Sequence, residues 1–249
     1  MIESPRDLLT RTFTLYRANF WLFIGYAAWL LLPLASTLIL TSLPEHFIIE
    51  ILVVVSILAQ MFISIWMGIS IMQSIVQLEK SEPTDPNEIS KKALLRIRPV
   101  LIAALLQGLI IFGGLLLLIV PAIIFWVWYA HSQISVAVDG KRPMEALAYS
   151  RELVTGRFFP ALWRLVSGPV VIGLGYAFIL GIILTLVGTI LGTDLSVVFS
   201  EKPPLWTELL ESMADIFIIP LFIIYSVLLY ENLKKTLIKP DLEKDAVVE

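Results

Sequence analysis

Residues 99–138 read PVLIAALLQGLIIFGGLLLLIVPAIIFWVWYAHSQISVAV, forty residues with no charge before Asp139. A helix needs about 20 apolar residues to cross the hydrocarbon core of a bilayer. A single helix of this length would run about 60 Å, twice too long. The segment therefore has to fold back. Gly113-Gly114 and Pro121 offer breakpoints, because a proline removes a backbone donor and clashes with the preceding turn. A tight hairpin around Ile119–Ala122 is the simplest solution, with spans at about 100–118 and 122–138.

On either side of this hairpin the same ruler places spans at about 20–41, 49–77, 165–192 and 213–231. The segments between the six spans alternate between basic and nearly uncharged. The basic ones are 1–19 (Arg6, Arg11, Arg17), 79–99 (Lys80, Lys91, Lys92, Arg96, Arg98), 139–164 (Lys141, Arg142, Arg151, Arg157, Arg164) and 231–249 (Lys234, Lys235, Lys239, Lys244). Of the 18 Lys and Arg residues, Lys202 alone falls on the other side. Basic residues are retained in the cytoplasm next to spans, so both termini are expected there. A single re-entrant segment at 99–138 would break the alternation.

Composition agrees with a membrane class. Mean hydropathy is +0.87, and 58% hydrophobic against 16% charged residues is far from soluble averages. The net charge of −3 averages a basic inner face, an acidic outer face (Glu45, Glu50, Asp194, Glu201, Glu208, Glu211) and an acidic tail. The absence of cysteine excludes disulfides, thiolate metal sites and cysteine nucleophiles. The first apolar run, about 20–40, is longer than a signal-peptide core and reads as a span.

A Pro-x-acid element precedes alternate spans: Pro5-Arg6-Asp7, Pro86-Asn87-Glu88 and Pro143-Met144-Glu145. Proline suits the first helical position and an acid suits the N-terminal end of the helix dipole. Asp85 and Glu88 add a capping pair. Between the first and third units Thr12 matches Ser150, Leu15 matches Leu153 and Phe20 matches Phe158. This internal repeat predicts a short helix followed by a two-helix hairpin, used three times. The short helices are amphipathic. Over 142–158, Met144, Leu147, Tyr149, Leu153 and Val154 oppose Arg142, Glu145, Arg151, Glu152 and Arg157, a pattern expected at a membrane surface.

No catalytic or phosphate-cradling motif is present, and nothing points to a cofactor, a metal or a nucleic acid. An outer group of Asp194, Glu201, Glu208, Glu211 and Asp215 reads as solvated loop charge rather than a cation site. Counting from a turn near 120 puts Gln107 and Gln133 at equal depth, with His131 close by and Gln60 at a similar level. Such a layer is either a polar pocket or proton path, or hydrogen-bonded glue between helices. Gly173, Ala177, Gly181, Thr185 and Thr189 form a small-residue stripe, a packing device within the bundle or between subunits. Gly181→Leu is expected to disrupt that packing. Arg11, Arg17, Arg96, Arg98, Arg151, Arg157 and Arg164 lie on or beside the surface helices and are candidates for anionic lipid head groups. A true site would require several to converge on one pocket.

Leu115–Ile124 reads LLLLIVPAII, and residues 145–159 read EALAYSRELVTGRFF. These stretches resemble a poorly characterised family of prokaryotic six-helix membrane proteins. The family includes the membrane domain attached to some glycerophosphoryl diester phosphodiesterases and related stand-alone inner-membrane proteins. Ala146, Leu147, Ser150, Leu153, Gly156 and Phe158 fit its pattern, and Ala122 stands where glycine is usual. The phosphodiesterase domain of such fusions, with its His-Arg-Gly start and metal-binding acids, has no counterpart in these residues, so the resemblance implies no catalysis.

The resulting expectation is an all-α polytopic protein of a prokaryotic cytoplasmic membrane. It has six transmembrane helices as three hairpins, each preceded by a short amphipathic cytoplasmic-side helix. Residues 1–239 form one domain and 240–249 a short cytoplasmic tail. The expected role is non-enzymatic, binding or organising membrane lipids, anionic ones among them, or a protein partner or second copy. A transporter of a small or lipid-like solute and a membrane-embedded enzyme of lipid metabolism are the alternatives.

Overall fold

The computed structural model describes residues 2–44, 46–198, 200 and 203–237. Glu45, Glu201, Lys202, Lys239, Lys244 and the expected tail at 240–249 lie outside the described residues. The described chain is all α. Its helices are α1 (Pro5–Ala18), α2 (Phe20–Thr41), α3 (Phe47–Glu79), α4 (Pro86–Leu117), α5 (Ile119–Asp139), α6 (Pro143–Val154), α7 (Phe158–Ile190), α8 (Leu195–Val198) and α9 (Leu205–Lys235). Six of them, α2, α3, α4, α5, α7 and α9, are long and apolar enough to cross a membrane. The protein is a multi-pass membrane protein.

The hairpin inside the uncharged run turns on one residue. Leu118 is extended (φ −171, ψ 162), and its N–H donates to Gly114 O at 3.0 Å. The break lies one residue before the expected Ile119–Ala122 turn. Pro121 falls in the first turn of α5, where its missing N–H costs nothing. Gly114 lets α4 and α5 close on each other: a Cβ there would strike the Phe125 ring and crowd the Ala122 backbone.

Two other prolines shape spans without ending them. Pro33 cannot bond to the carbonyl one turn back, and α2 tightens into a 3₁₀ turn over Ala28–Leu30 just before it. Pro99 lies inside α4, which runs unbroken for 32 residues, about 48 Å. The second short amphipathic helix is therefore continuous with its span rather than separate. Asp85 caps α4 by accepting from Asn87 N–H at 2.9 Å. Glu88 does not complete the expected capping pair; it binds Lys92 at 2.7 Å instead.

The other two short helices are built into the bundle rather than laid beside it. Glu3 N–H donates to Asn232 Oδ1 (3.0 Å), and Tyr16 Oη donates to Phe217 O (3.0 Å), so α1 runs alongside α9. Its buried face is Leu8, Thr12 and Tyr16, at helical spacing. In α6 the buried residues are Ala146, Leu147, Ser150, Leu153 and Val154, whereas Met144 is exposed. Ser150 Oγ donates to Trp128 O at 2.8 Å, tying α6 to α5.

α9 is the hub. Its half nearest the basic segments buries Leu221, Ile224, Tyr225, Val227, Leu228, Leu229, Tyr230 and Leu233 against α1, α2, α3 and α7. Arg11 bridges Glu3 and Glu79, at 2.6 and 2.5 Å. Lys234 binds Asp139 at 2.6 Å. The four basic segments thus meet at one end of the bundle.

Candidate functional site

A cavity of about 490 Å³ opens at that basic end, between the last turns of α3, the first turns of α4 and the end of α5. Its polar walls are Gln73, Gln77, Lys80, Glu82, Lys92 and Arg96. Local backbone geometry builds it. At the end of α3 Ser81 adopts a left-handed conformation (φ 56), and Glu82 N–H returns to Gln77 O at 2.9 Å. This Schellman-type close reverses the chain and brings Glu82 to the rim. On the opposite wall α5 ends in a π turn, Ser135–Asp139, which inserts one extra residue per turn. Ala137 O there accepts from Gln73 Nε2 at 3.0 Å. Gly140 follows with φ 71, and the Arg96 guanidinium lies where a Cβ at Gly140 would be.

Three cations and one carboxylate line this space. Lys92 is engaged by Glu88, whereas Lys80 and Arg96 have no ion-pair partner among the described residues. Gln73 Oε1 and Gln77 Oε1 are buried and accept no hydrogen bond from the described residues. The surface therefore offers positive charge for an anion.

The other expected head-group residues do not converge. Arg151 stacks on the Trp128 ring, 4.3 Å from its centroid. Arg164 donates to the backbone carbonyls of Ile2, Glu3 and Pro160. Arg157 is 9% exposed and donates to Leu153 O, Leu233 O and Thr236 O, and to Thr236 Oγ1. Burial lowers its pKa from the ordinary value. A guanidinium stays charged regardless. Arg17 and Arg98 are exposed away from the cavity. Of the seven arginines only Arg96 lines it. The hydrogen-bonding demand of helix ends and backbone carbonyls takes Arg157 and Arg164.

The expected polar layer divides. Gln107 Oε1 accepts from Ser132 Oγ and from Gln133 Nε2, both at 3.0 Å. His131 sits in the break of α5, buried against Tyr230 with ring centroids 6.0 Å apart, and neither ring nitrogen has a hydrogen-bond partner among the described residues. Gln60 is elsewhere, in a separate cavity with Ser64, Ser212 and Asp215. Sequence reading missed Asp139, whose Oδ2 accepts from Tyr230 Oη at 2.5 Å. It also missed Gln73 and Gln77, although their i, i+4 spacing beside Lys80 was visible.

The small-residue stripe faces outward. A Cβ at Gly181 would meet nothing within 4 Å, and one at Gly173 only the Phe222 ring at 3.9 Å. Ala177 is exposed. The close approach belongs to Gly168, outside the stripe, where a Cβ would overlap the Tyr225 ring. The outer acids do not gather either. Asp194 accepts from Ser196 N–H and Oγ, both at 2.8 Å, and these bonds lower its pKa. Among the described residues no three His, Cys, Asp or Glu side chains group to hold a metal ion. Comparison with protein-family models, with curated proteins and with solved structures finds no match for this chain.

Proposed function

We propose that this is a non-enzymatic protein of a prokaryotic cytoplasmic membrane that binds phospholipid head groups at its basic end. The observation that carries this reading is the cavity walled by Lys80, Lys92 and Arg96 beside Gln73 and Gln77. It gathers positive charge at the basic end of the bundle, where spans leave the apolar region. The positive-inside pattern puts both termini and the cavity on the cytoplasmic side.

Each basic residue near an anionic leaflet contributes about 1 kcal/mol. Removing two that share one ligand therefore weakens retention roughly 30-fold. Lys80→Gln with Arg96→Gln should reduce phosphatidylglycerol bound in native mass spectrometry by about that factor. Arg17→Gln with Arg98→Gln removes the same charge from exposed positions and should change little. Equal losses in the two pairs would leave only generic attraction and would sink the cavity as a site.

Orientation has its own check. Cysteines at Ser42 and Ser200 should label with impermeant thiol reagents in intact cells, and those at Thr10 and Ser90 should not. The reverse pattern would turn the protein over and place the cavity outside.

A further inference from the structure

A groove of about 440 Å³ runs between α7 and α9, closed on its third side by α1 and the first turn of α2. Its α7 wall is Val171, Gly175, Ile179 and Ile183, four residues apart along one helix face. Twelve residues of helix make that wall about 18 Å long. The floor is Ile172, Leu221 and Tyr16, all buried. Phe20 stacks on Phe217, ring centroids 6.2 Å apart, and the two rings border the opening. Val171, Ile179, Ile183 and Phe217 are exposed, so the groove opens sideways. It opens onto the same apolar α7 surface that presents Leu174, Phe178 and Ile182.

Among the described residues that line the groove none is charged. The protons of its two tyrosine hydroxyls are committed: Tyr16 Oη donates to Phe217 O at 3.0 Å, and Tyr176 Oη to Asp215 Oδ1 at 2.7 Å. Such a lining suits hydrocarbon and penalises any solute that needs hydrogen bonds. Spread over the length of the α7 wall, the volume leaves a channel roughly 5–6 Å across, room for one hydrocarbon chain but not for a helix about 10–12 Å wide. Its length is close to the roughly 15 Å of hydrocarbon that one leaflet contributes to a bilayer. Gly175 makes the room, since a Cβ there would meet nothing within 4 Å.

We propose that this groove seats one acyl chain of a membrane phospholipid. The occupant follows from continuity with the bilayer: α7 and α9 are both membrane-spanning helices, and the groove is a recess in their outward apolar surface. Lipid tails are as apolar as the lining, so burial from water is not what retains the chain. Contact is. A tail in the groove meets protein on three sides, whereas a tail against the flat face of α7 meets it on one, and dispersion attraction grows with the number of atom pairs. The seated chain fills the gap among α1, α7 and α9 and packs α1 against the two spans. The groove reads the tail, so it takes phosphatidylcholine and phosphatidylglycerol alike. The inference is independent of the head-group cavity, which lies among α3, α4 and α5.

The test places the full chain in phosphatidylcholine vesicles with a trace of phosphatidylcholine that carries a photoreactive diazirine on one acyl chain. Cross-links mapped by mass spectrometry should concentrate on Val171, Ile179, Ile183 and Phe217, well above the level on Leu174, Phe178 and Ile182. Gly175→Leu fills the groove without striking protein atoms and should cut labelling there at least about fivefold, because the tail is then overpacked. Gly181→Leu, at an equally open position of the same helix, should leave it unchanged. Lys80→Gln with Arg96→Gln should also leave it unchanged, which separates this groove from the head-group cavity. Even labelling of the groove and the surrounding α7 surface would mean ordinary boundary lipid and overturn the proposal. Undiminished groove labelling in Gly175→Leu would overturn it too. A groove protected in a dimeric wild type, and labelled only after dissociation, would assign it to a second copy instead. Should Gly175→Leu fail to fold, the wild-type label map decides alone.

Discussion

Arg157→Met should lower the unfolding midpoint by roughly 10 °C, the largest loss expected of any single arginine. Arg157 is 9% exposed, yet four of its five N–H donors are used. Nε donates to Leu153 O (2.7 Å) at the end of α6, Nη2 to Leu233 O (2.6 Å), and Nη1 to Thr236 O (2.9 Å) and Thr236 Oγ1 (2.7 Å) at the end of α9. The last carbonyls of a helix have no partner of their own, and a cation there also meets the negative end of the dipole. A methionine fills the volume and supplies no donor. Bonds to a charged group contribute about 1.5–3 kcal/mol each, and acceptors left buried add their desolvation cost. A loss of about 3–5 kcal/mol follows, at 2–4 °C per kcal/mol for a chain of this size. Arg157→Lys keeps the charge but cannot span three carbonyls, and should fall between. Arg17→Met, at an exposed site, is the control. A drop below about 2 °C for Arg157→Met would mean that water replaces the guanidinium and that α6 and α9 are held by packing alone.

The same residue marks where sequence reading stops. The positive-inside rule counts charges beside spans, and the count at residues 139–164 placed Arg157 at the right end of the bundle. It carries no direction. Arg157 and Arg164 turn inward to carbonyls, Arg151 lies on Trp128, and the cavity is left to Lys80, Lys92 and Arg96. Depth arithmetic has a similar reach. Gln107 and Gln133 flank one tight turn, so equal counts from it mean equal height, and the two side chains are hydrogen-bonded. Gln60 belongs to a helix with another origin and another facing, and it lines a separate cavity between α2, α3 and α9 instead. The forty-residue apolar run, with two glycines and a proline, was legible because a bilayer permits few lengths. The fusion of the second short helix with its span was not. Only Pro99 separates residues 86–98 from the apolar run, and the helix continues through it.

Two alanines in one helix should act with opposite sign. Gly168 and Gly181 both lie in α7, and each gains about 1 kcal/mol of intrinsic helix propensity on replacement by alanine. At Gly181 nothing stands within 4 Å of the new Cβ. Gly181→Ala should leave the midpoint unchanged or slightly raised, and even Gly181→Leu should be accommodated within one chain. At Gly168 the Cβ would fall on the Tyr225 ring, which cannot swing away. Tyr225 is 1% exposed, and its hydroxyl donates to Arg164 O at 2.8 Å, one turn before Gly168. Either α7 and α9 separate locally or the tyrosine leaves its rotamer and its hydrogen bond. Overpacking of this kind costs about 1–3 kcal/mol, to which the lost hydrogen bond adds about 1. After the propensity gain, about 1–3 kcal/mol remains, and Gly168→Ala should lower the midpoint by roughly 2–12 °C. The cause can be isolated with Tyr225→Leu. If the clash is responsible, adding Gly168→Ala to Tyr225→Leu should cost far less than adding it to the wild type, a coupling of more than about 1 kcal/mol in the double-mutant cycle. Additive losses would show that Gly168 is needed for some reason other than the ring above it. A Gly181→Leu variant that changed oligomeric state but not monomer stability would assign the outward stripe to a neighbouring copy.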